Sequence, residues 1–125
     1  MISSTKTSPT NLSHVEQKLS IQCNDFADDS ISIRSLDWDR SRFDIEFGLR
    51  NGTTYNSFII KGKDIAVIDT SHSKFKTLWL ESLIKQVDPK KIKYLITSHT
   101  EPDHSGLISD LLNLNGDIKI VGSKI

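Results

Sequence analysis

Two short apolar segments, separated by a helical pattern, constrain the fold of this 125-residue chain most strongly. Residues 65–68 are apolar on both faces, and in 92–96 Ile92, Tyr94, Leu95 and Ile96 are apolar, which is typical of buried strands. Polar residues follow each segment directly. Between them, Phe75, Trp79 and Leu83 recur at the four-residue spacing of a helix. The order strand, helix, strand predicts an α/β fold in which helices cover a sheet.

The ends of these elements can also be predicted. Ser73 is expected to be the N-cap of the helix, and the Asp-Pro pair at 88–89 is expected to stop it. A second, short helix is predicted over 107–114, and a further strand begins at Ile118. Because the chain ends at Ile125 on a newly started strand, we expect the sheet to be incomplete.

The N-terminal part of the chain differs from the rest in composition and hydrophobic periodicity. Six of the first ten residues are Ser or Thr, and no strand or helix period is sustained before residue 31, so residues 1–30 are predicted to be a flexible lead-in and residues 31–125 the domain. Apolar residues in 31–36 and alternation in 43–47 predict a hairpin with one solvent-exposed face. Both tryptophans, Trp38 and Trp79, are expected in the core.

Composition excludes several classes of function. Sixteen Lys plus Arg balance sixteen Asp plus Glu, so the net charge is zero, and no basic patch indicates nucleic-acid binding. No apolar run approaches the roughly 18 residues that span a bilayer. The single cysteine, Cys23, permits no internal disulfide. We therefore expect a soluble, cytoplasmic protein without a membrane span.

A dense group of metal-ligand side chains follows the second apolar segment. His99, Glu101, Asp103 and His104 lie within six residues, at a strand end where α/β sheets build their sites. In an extended chain His99 and Glu101 point the same way, toward one metal, while a turn at Pro102 redirects the other two toward a second metal. Imidazoles with carboxylates suit iron, manganese or zinc, and the absence of cysteine ligands argues against a structural zinc or an iron–sulfur cluster.

Two simpler interpretations of this loop are open. The loop could be merely solvated, or Asp103 could cap a helix that begins at His104, with its charge complementing the helix dipole. Four ligand-type residues among six favour a metal site over both.

The motif carries a family resemblance. Residues 99–106, His-Thr-Glu-Pro-Asp-His-Ser-Gly, resemble the ligand motif of the flavodiiron proteins, whose N-terminal domain has the metallo-β-lactamase fold. The stretches at 36–40, 52–57 and 67–70 fall where that family has similar segments, and Asp-Trp-Asp-Arg at 37–40 resembles cyanobacterial and other photosynthetic members. The resemblance implies that residues 31–125 are the first half of a metallo-β-lactamase-like αββα sandwich.

The resemblance also implies roles for the residues. His99 and Glu101 would ligate a first iron and Asp103 and His104 a second, while Asp69 would orient the loop from the second coordination shell, by hydrogen bonds to buried backbone. In the family, electrons from FMN and NAD(P)H reduce O2 to water or NO to N2O at this site. The family's remaining ligands, a His, a bridging Asp and a last His, have no counterpart downstream here, and neither do its FMN-binding flavodoxin-like and flavin-reductase domains. We therefore expect a fragment that is not active alone.

Two rival hypotheses come from other classes. A zinc hydrolase of the same superfamily would use a metal-bound hydroxide, but hydrolytic members usually place His where this chain has Glu101. A non-catalytic, truncated gene product would leave an unpaired strand edge and would act only by pairing with another chain or with missing domains. His72 could touch the site, although an exposed loop His is the simpler interpretation.

Overall fold

A single mixed sheet organises the part of the chain that the computed structural model describes, residues 18–42 and 48–124. The six strands follow one another in space in chain order. Neighbours from β1 to β4 are antiparallel, whereas β4, β5 and β6 are parallel. The strands are β1 (Leu19–Ala27), β2 (Ser30–Asp37), β3 (Thr53–Lys61), β4 (Ile65–Ile68), β5 (Ile92–Ile96) and β6 (Lys119–Val121).

Three α-helical segments and two 3-10 turns connect the last three strands. The helices are α1 (Lys76–Gln86), α2 (Pro102–Ser105, a single turn) and α3 (Ile108–Leu114), and the 3-10 turns are Ser73–Phe75 and Pro89–Lys91. Among the described residues, no helix is long and apolar enough to cross a membrane.

The predicted strand–helix–strand unit is confirmed. Residues 65–68 and 92–96 are the neighbouring parallel strands β4 and β5, and α1 connects them. Phe75, Trp79 and Leu83 are fully buried, as their spacing predicts. The predicted N-cap at Ser73 is wrong: Phe75 occupies the N-cap position of α1 without a side-chain cap. His72 caps the 3-10 turn that precedes α1, because its Nδ1 accepts a hydrogen bond from the Lys74 amide.

The core lies between the sheet and its helices. On the sheet side, Ile33, Ile59, Val67 and Leu95 are fully buried, and α1 and α3 contribute the aromatic and leucine side chains that pack against them. Alternate residues of these strands point to the opposite face. The fold is thus mixed α/β, as expected.

The predicted flexible lead-in over residues 1–30 is wrong in part. Residues 19–27 of the predicted lead-in form β1, because Leu19, Ile21 and Cys23 alternate toward the core while the strand pairs with β2. The predicted hairpin partner at 43–47 lies outside the described residues, as do residues 1–17. Among the described residues, β2 pairs with β1 on one side and with β3 on the other.

The two tryptophans differ in burial. Trp79 is fully buried, as predicted, whereas Trp38 is 54% exposed, so its predicted place in the core is wrong. Trp38 follows the end of β2 and donates from Nε1 to the Ser20 hydroxyl at 3.2 Å. Its indole therefore lies over the sheet edge near β1.

Candidate metal centre

The loop of the motif begins where β5 ends. Because β4 and β5 are parallel neighbours with Ile68 opposite Ile96, their carboxyl ends lie together at one edge of the sheet. Asp69 leaves β4 and Ser98 leaves β5 at this edge, and the motif follows at residues 99–106. The local topology thus brings residues that are about 30 positions apart in the chain to one site.

His99 and Glu101 form the first pair. Nε2 of His99 lies 2.6 Å from Oε1 of Glu101, so the two side chains share one side of the loop, as their spacing predicts. Both are solvent-accessible, with side-chain exposures of 52% and 65%. These donor atoms are therefore reachable from solvent.

Asp103 and His104 form the second pair, on the one-turn helix α2. Nε2 of His104 lies 3.5 Å from Oδ2 of Asp103, and Nδ1 of the same ring lies 2.9 Å from Oδ2 of Asp69. When Nδ1 carries the proton, it donates a hydrogen bond to the Asp69 carboxylate. The lone pair of Nε2 is then available on the side of Asp103. This is the tautomer that a metal ligand requires.

The two pairs are adjacent. The imidazole rings of His99 and His104 lie 5.2 Å apart and are nearly perpendicular, at 82°. Yet no group of three or more His, Cys, Asp or Glu side chains within 18–42 and 48–124 is arranged to hold one metal ion. In their donor chemistry, two imidazole nitrogens and two carboxylates, the residues suit iron, manganese or zinc.

The predicted alternative of an N-cap at Asp103 is wrong. Glu101 occupies the N-cap position of α2, Pro102 follows it at the first helical position, and no side-chain oxygen caps the turn. Asp103 lies inside the first turn, with its side chain 14% exposed. Its carboxylate is thus not committed to capping this helix.

Asp69 anchors the motif loop from β4. Oδ1 accepts a hydrogen bond from the Ser98 amide at 2.8 Å, and Oδ2 accepts one from the Ser98 hydroxyl. Its backbone has a φ of +58°, a left-handed conformation that Asp and Asn adopt more readily than most residues. Its amide donates to Ile96 O, and its carbonyl accepts from the Ser57 hydroxyl. The Asp69 carboxylate therefore bonds to the residue that begins the motif loop, and its role in orienting the loop beside a metal stays a prediction.

A second set of contacts holds α2 against the loop that follows β4. The amide and the hydroxyl of Thr70 both donate to His104 O at 2.7 Å, and the Thr70 hydroxyl accepts from the Leu107 amide. A Cβ on Gly106 would lie only 2.6 Å from Ser71 O and 2.6 Å from Pro102 O. Only glycine allows this approach, which the sequence pattern did not reveal.

A buried polar network beside the site was also not anticipated. Oδ2 of Asp37 accepts hydrogen bonds from the Tyr55 hydroxyl and from Lys74 Nζ, both at 2.7 Å, and Arg40 Nη1 donates to the same hydroxyl at 3.0 Å. Burial alone raises the pKa of the Asp37 carboxyl, but the bonds from Lys74 and Tyr55 outweigh it and hold that pKa below its usual value. Burial is the main cause that raises the pKa of Tyr55 to about 12.

His72 belongs to this network rather than to solvent. Its ring stacks on Tyr55 with 5.7 Å between centroids, and the side chain is half-buried, so the expected exposed position is wrong. Burial and the positive charges of Lys74 and Arg40 lower the pKa of His72. The lowered pKa favours the neutral form of the imidazole.

Two cavities open near the motif. The first, of about 510 Å³, is lined by Asp69, Asp103 and His104 on one side and by Asn56 and Phe58 of β3 on the other. The second, of about 410 Å³, is lined by His99 together with residues of the loop after β5, of α3 and of β6. The four predicted ligands therefore do not face one common cavity.

Comparison with known proteins agrees with this fold. The family model described as "ODP family beta lactamase" matches residues 53–125. The flavodiiron core of Synechocystis, solved after metal soaking, superposes with a TM-score of 0.74 at 32% identity, covering 82% of this chain and 25% of that one. Rubredoxin:oxygen oxidoreductase from Desulfovibrio gigas superposes with a TM-score of 0.70 at 31% identity, covering 79% and 25%.

The chain belongs to the ODP family of β-lactamase-like proteins, and it matches the N-terminal metallo-β-lactamase-like region of the flavodiiron proteins. "Putative diflavin flavoprotein A 3" of Nostoc is 59% identical over 110 residues, which cover 88% of this chain and 19% of the relative. "Diflavin flavoprotein A 1" of Synechocystis is 54% identical over 110 residues, with the same coverages. The chain thus spans about a fifth of the length of these relatives.

Proposed function

We propose that this chain supplies the first half of the di-iron site of a flavodiiron oxidoreductase, which reduces O2 to water or NO to N2O. One observation carries the proposal: His99 with Glu101 and Asp103 with His104 form two adjacent pairs. In addition, the Asp69 carboxylate lies within hydrogen-bond distance of Nδ1 of His104. A carboxylate at Glu101 favours iron over zinc, because it replaces a borderline-soft imidazole with a hard oxygen ligand.

His99 and Glu101 would hold one iron, and Asp103 and His104 the other. The irons would supply the redox chemistry, with electrons from FMN and, behind it, from NAD(P)H. The chain's own contribution is to hold the four side chains. Asp69 would keep the His104 proton on Nδ1, and the Asp69–Ser98 bonds fix the start of the loop.

The chain is proposed to act together with further polypeptide, in a cytoplasmic enzyme. Each iron receives two ligands from the described residues, and the FMN-binding residues are assigned outside this chain. By itself the chain is expected to show no O2 or NO reduction.

A chimera tests this proposal. Residues 1–125 replace the matched segment of the Nostoc relative, and O2 and NO consumption are measured with NADPH. Activity within about tenfold of the parent relative is expected, and His99→Ala or Asp103→Ala should abolish it. An inactive chimera that binds zinc and hydrolyses thioesters or lactams would support the hydrolase hypothesis instead. A chimera that folds but binds no metal would support the non-catalytic hypothesis.

A further inference from the structure

A continuous chain of hydrogen bonds leads to the wall of the cavity beside the candidate metal centre. Lys74 Nζ donates to Oδ2 of Asp37 at 2.7 Å, and the Tyr55 hydroxyl donates to the same oxygen at 2.7 Å. Tyr55 also lines the cavity of about 510 Å³ that Asp103 and His104 line. One carboxylate oxygen therefore connects an ammonium group to a residue of the cavity wall.

The residues of this chain differ in exposure. The Lys74 side chain is 23% exposed, whereas that of Asp37 is fully buried. Tyr55 is also buried. The chain of hydrogen bonds thus begins at an ammonium group that solvent reaches, passes a carboxylate that solvent does not reach, and ends at a buried hydroxyl group.

The Tyr55 hydroxyl is held next to a cation. Arg40 Nη1 donates to it at 3.0 Å, and the guanidinium carbon lies 5.9 Å from the centre of the Tyr55 ring. Burial raises the pKa of the hydroxyl, and the hydrogen bond from Arg40 opposes that rise. Because an arginine stays protonated in proteins, it passes no proton on, but its charge stabilises a phenolate. The hydroxyl therefore stays protonated until a strong base takes its proton.

The sequence stretches that the metal ligands leave unexplained meet in this network. Asp37 and Arg40 come from the Asp-Trp-Asp-Arg stretch at 37–40, and Tyr55 comes from the stretch at 52–57. Lys74 comes from the 3-10 turn before α1. The fold thus brings three separate segments to one side of the cavity.

The proposed reaction consumes protons as well as electrons. Reduction of one O2 to two waters takes up four protons with four electrons, and reduction of two NO to N2O and water takes up two of each. The electrons come from FMN, whereas each proton enters the cavity from solvent. An active site that excludes bulk water during the reaction needs side chains on its wall to pass these protons.

We propose that Lys74, Asp37 and Tyr55 form a proton relay, in which Tyr55 is the acid that protonates the oxygen under reduction in the cavity. Lys74 and Asp37 are positioning residues, because they act on that oxygen only through Tyr55. The proposal rests on the proposed function, since it names the residue that supplies protons to that reaction.

Each transfer breaks one bond to hydrogen and forms another. The Tyr55 hydroxyl turns about its C–O bond toward the cavity and gives its proton to the oxygen under reduction. Lys74 then gives a proton to Oδ2 of Asp37, and Asp37 passes a proton to the Tyr55 phenolate. Lys74 regains a proton from water at the surface. No electron moves along the relay, and its three residues end as they began.

Steady-state kinetics of the chimera test the relay. Tyr55→Phe removes the acid, so kcat for O2 reduction should fall at least about tenfold while KM stays unchanged. Lys74→Arg should lower kcat at least about threefold, because arginine keeps the ion pair with Asp37 but gives up its proton far less readily. Both variants should increase the solvent deuterium isotope effect on kcat. If Lys74 had a structural role only, arginine would restore it, so the parent's kcat in Lys74→Arg would contradict the relay.

A second cluster of the same residue types provides matched controls. Lys93 Nζ donates to Oδ2 of Asp64 at 3.2 Å and lies 5.4 Å from the centre of the Tyr94 ring. None of these three residues lines either cavity near the motif. Tyr94→Phe and Lys93→Arg should therefore leave kcat and the solvent isotope effect unchanged.

The central contact of the relay is measured without iron. The chain has two tyrosines, so Tyr94→Phe leaves Tyr55 as the single one. In that background, the carbon-13 resonance of the phenol carbon that carries the hydroxyl reports the hydrogen bonding of Tyr55 at neutral pH. Asp37→Asn should shift this resonance, whereas Asp64→Asn should not. A resonance that Asp37→Asn leaves in place would overturn the relay at its central contact.

The outcomes separate the relay from the proposed function. Iron content should be equal in the chimera, in Tyr55→Phe and in Lys74→Arg, which excludes loss of metal as the cause of slow turnover. An iron-loaded, active chimera in which Tyr55→Phe keeps the parent's kcat overturns the relay alone. A chimera with unchanged residues that neither binds iron nor reduces O2 or NO overturns the proposed function, and the relay with it.

Discussion

Oδ2 of Asp69 lies 2.9 Å from Nδ1 of His104, and the same carboxylate accepts two hydrogen bonds from Ser98. One buried acid thus connects the end of β4 to both ends of the motif loop. Asp69 therefore contributes to the stability of the fold and also orients the His104 ring.

Asp69→Asn tests both roles. Asparagine tolerates the left-handed backbone at this position, so the change affects mainly the carboxylate. The free energy of unfolding should fall by about 1–3 kcal/mol, because an amide cannot accept all three hydrogen bonds. In the chimera, iron affinity should fall by about 10- to 100-fold, as for other residues that orient a metal-bound imidazole.

Urea unfolding and iron titration measure the two effects. Asp64→Asn is the control, since Asp64 pairs with Lys93 at the surface and should change stability by less than about 1 kcal/mol. Equal losses in the two variants would contradict the role assigned to Asp69.

Gly106→Ala should displace the motif loop. The new methyl group would approach Ser71 O and Pro102 O to 2.6 Å, and both are backbone atoms that cannot swing away. A loss of about 1–3 kcal/mol is expected in urea unfolding, as for other overpacked sites. Gly62→Ala is the control, because its nearest atom, Asp64 O, lies 3.7 Å away. A Gly106→Ala variant as stable as that control would show that the loop does not pack against residues 71–73 in this way.

Lys74→Met should destabilise the protein in a pH-dependent way. The folded pKa of Asp37 lies below 3.8, so its ionised form stabilises the fold above about pH 3.8, and this contribution is lost as the pH falls through the lowered folded pKa. Without Lys74 the buried carboxylate loses a charged partner, which should cost about 2–3 kcal/mol at pH 7.

The difference between Lys74→Met and the unchanged protein should therefore shrink as the pH falls from 5 to 3. Urea unfolding at several pH values measures it. Lys93→Met, which removes an exposed partner of Asp64, provides the comparison and should show a small difference at every pH. A loss from Lys74→Met that is the same at pH 3 and pH 7 would exclude the ion pair as its cause.

Local patterns predicted the elements that local physics determines. The spacing of Phe75, Trp79 and Leu83 is enough to indicate a helix, and the apolar runs of β4 and β5 are enough to indicate buried strands. β1 was missed because only three of its residues face the core, and its outward side chains resemble those of a loop.

Contacts between residues that are far apart in the sequence could not be predicted from it. Asp37 and Lys74 are 37 residues apart, and Asp69 and His104 are 35 apart, so neither hydrogen bond follows from a local pattern. The motif itself was recognisable because its ligands are adjacent in sequence. His99 lines one cavity, whereas Asp103 and His104 line the other. This arrangement depends on where β6 and β3 lie in the sheet.

The metal content of the chimera tests the central claim most directly. The protein is expressed with equal iron and zinc in the medium, and both metals are quantified by mass spectrometry. We expect about two irons per chain, and we expect Glu101→His to shift the content toward zinc, because an imidazole replaces the hard oxygen ligand. Two zincs per chain, with no iron, in the chimera with unchanged Glu101 would contradict the assignment of these residues to a di-iron site.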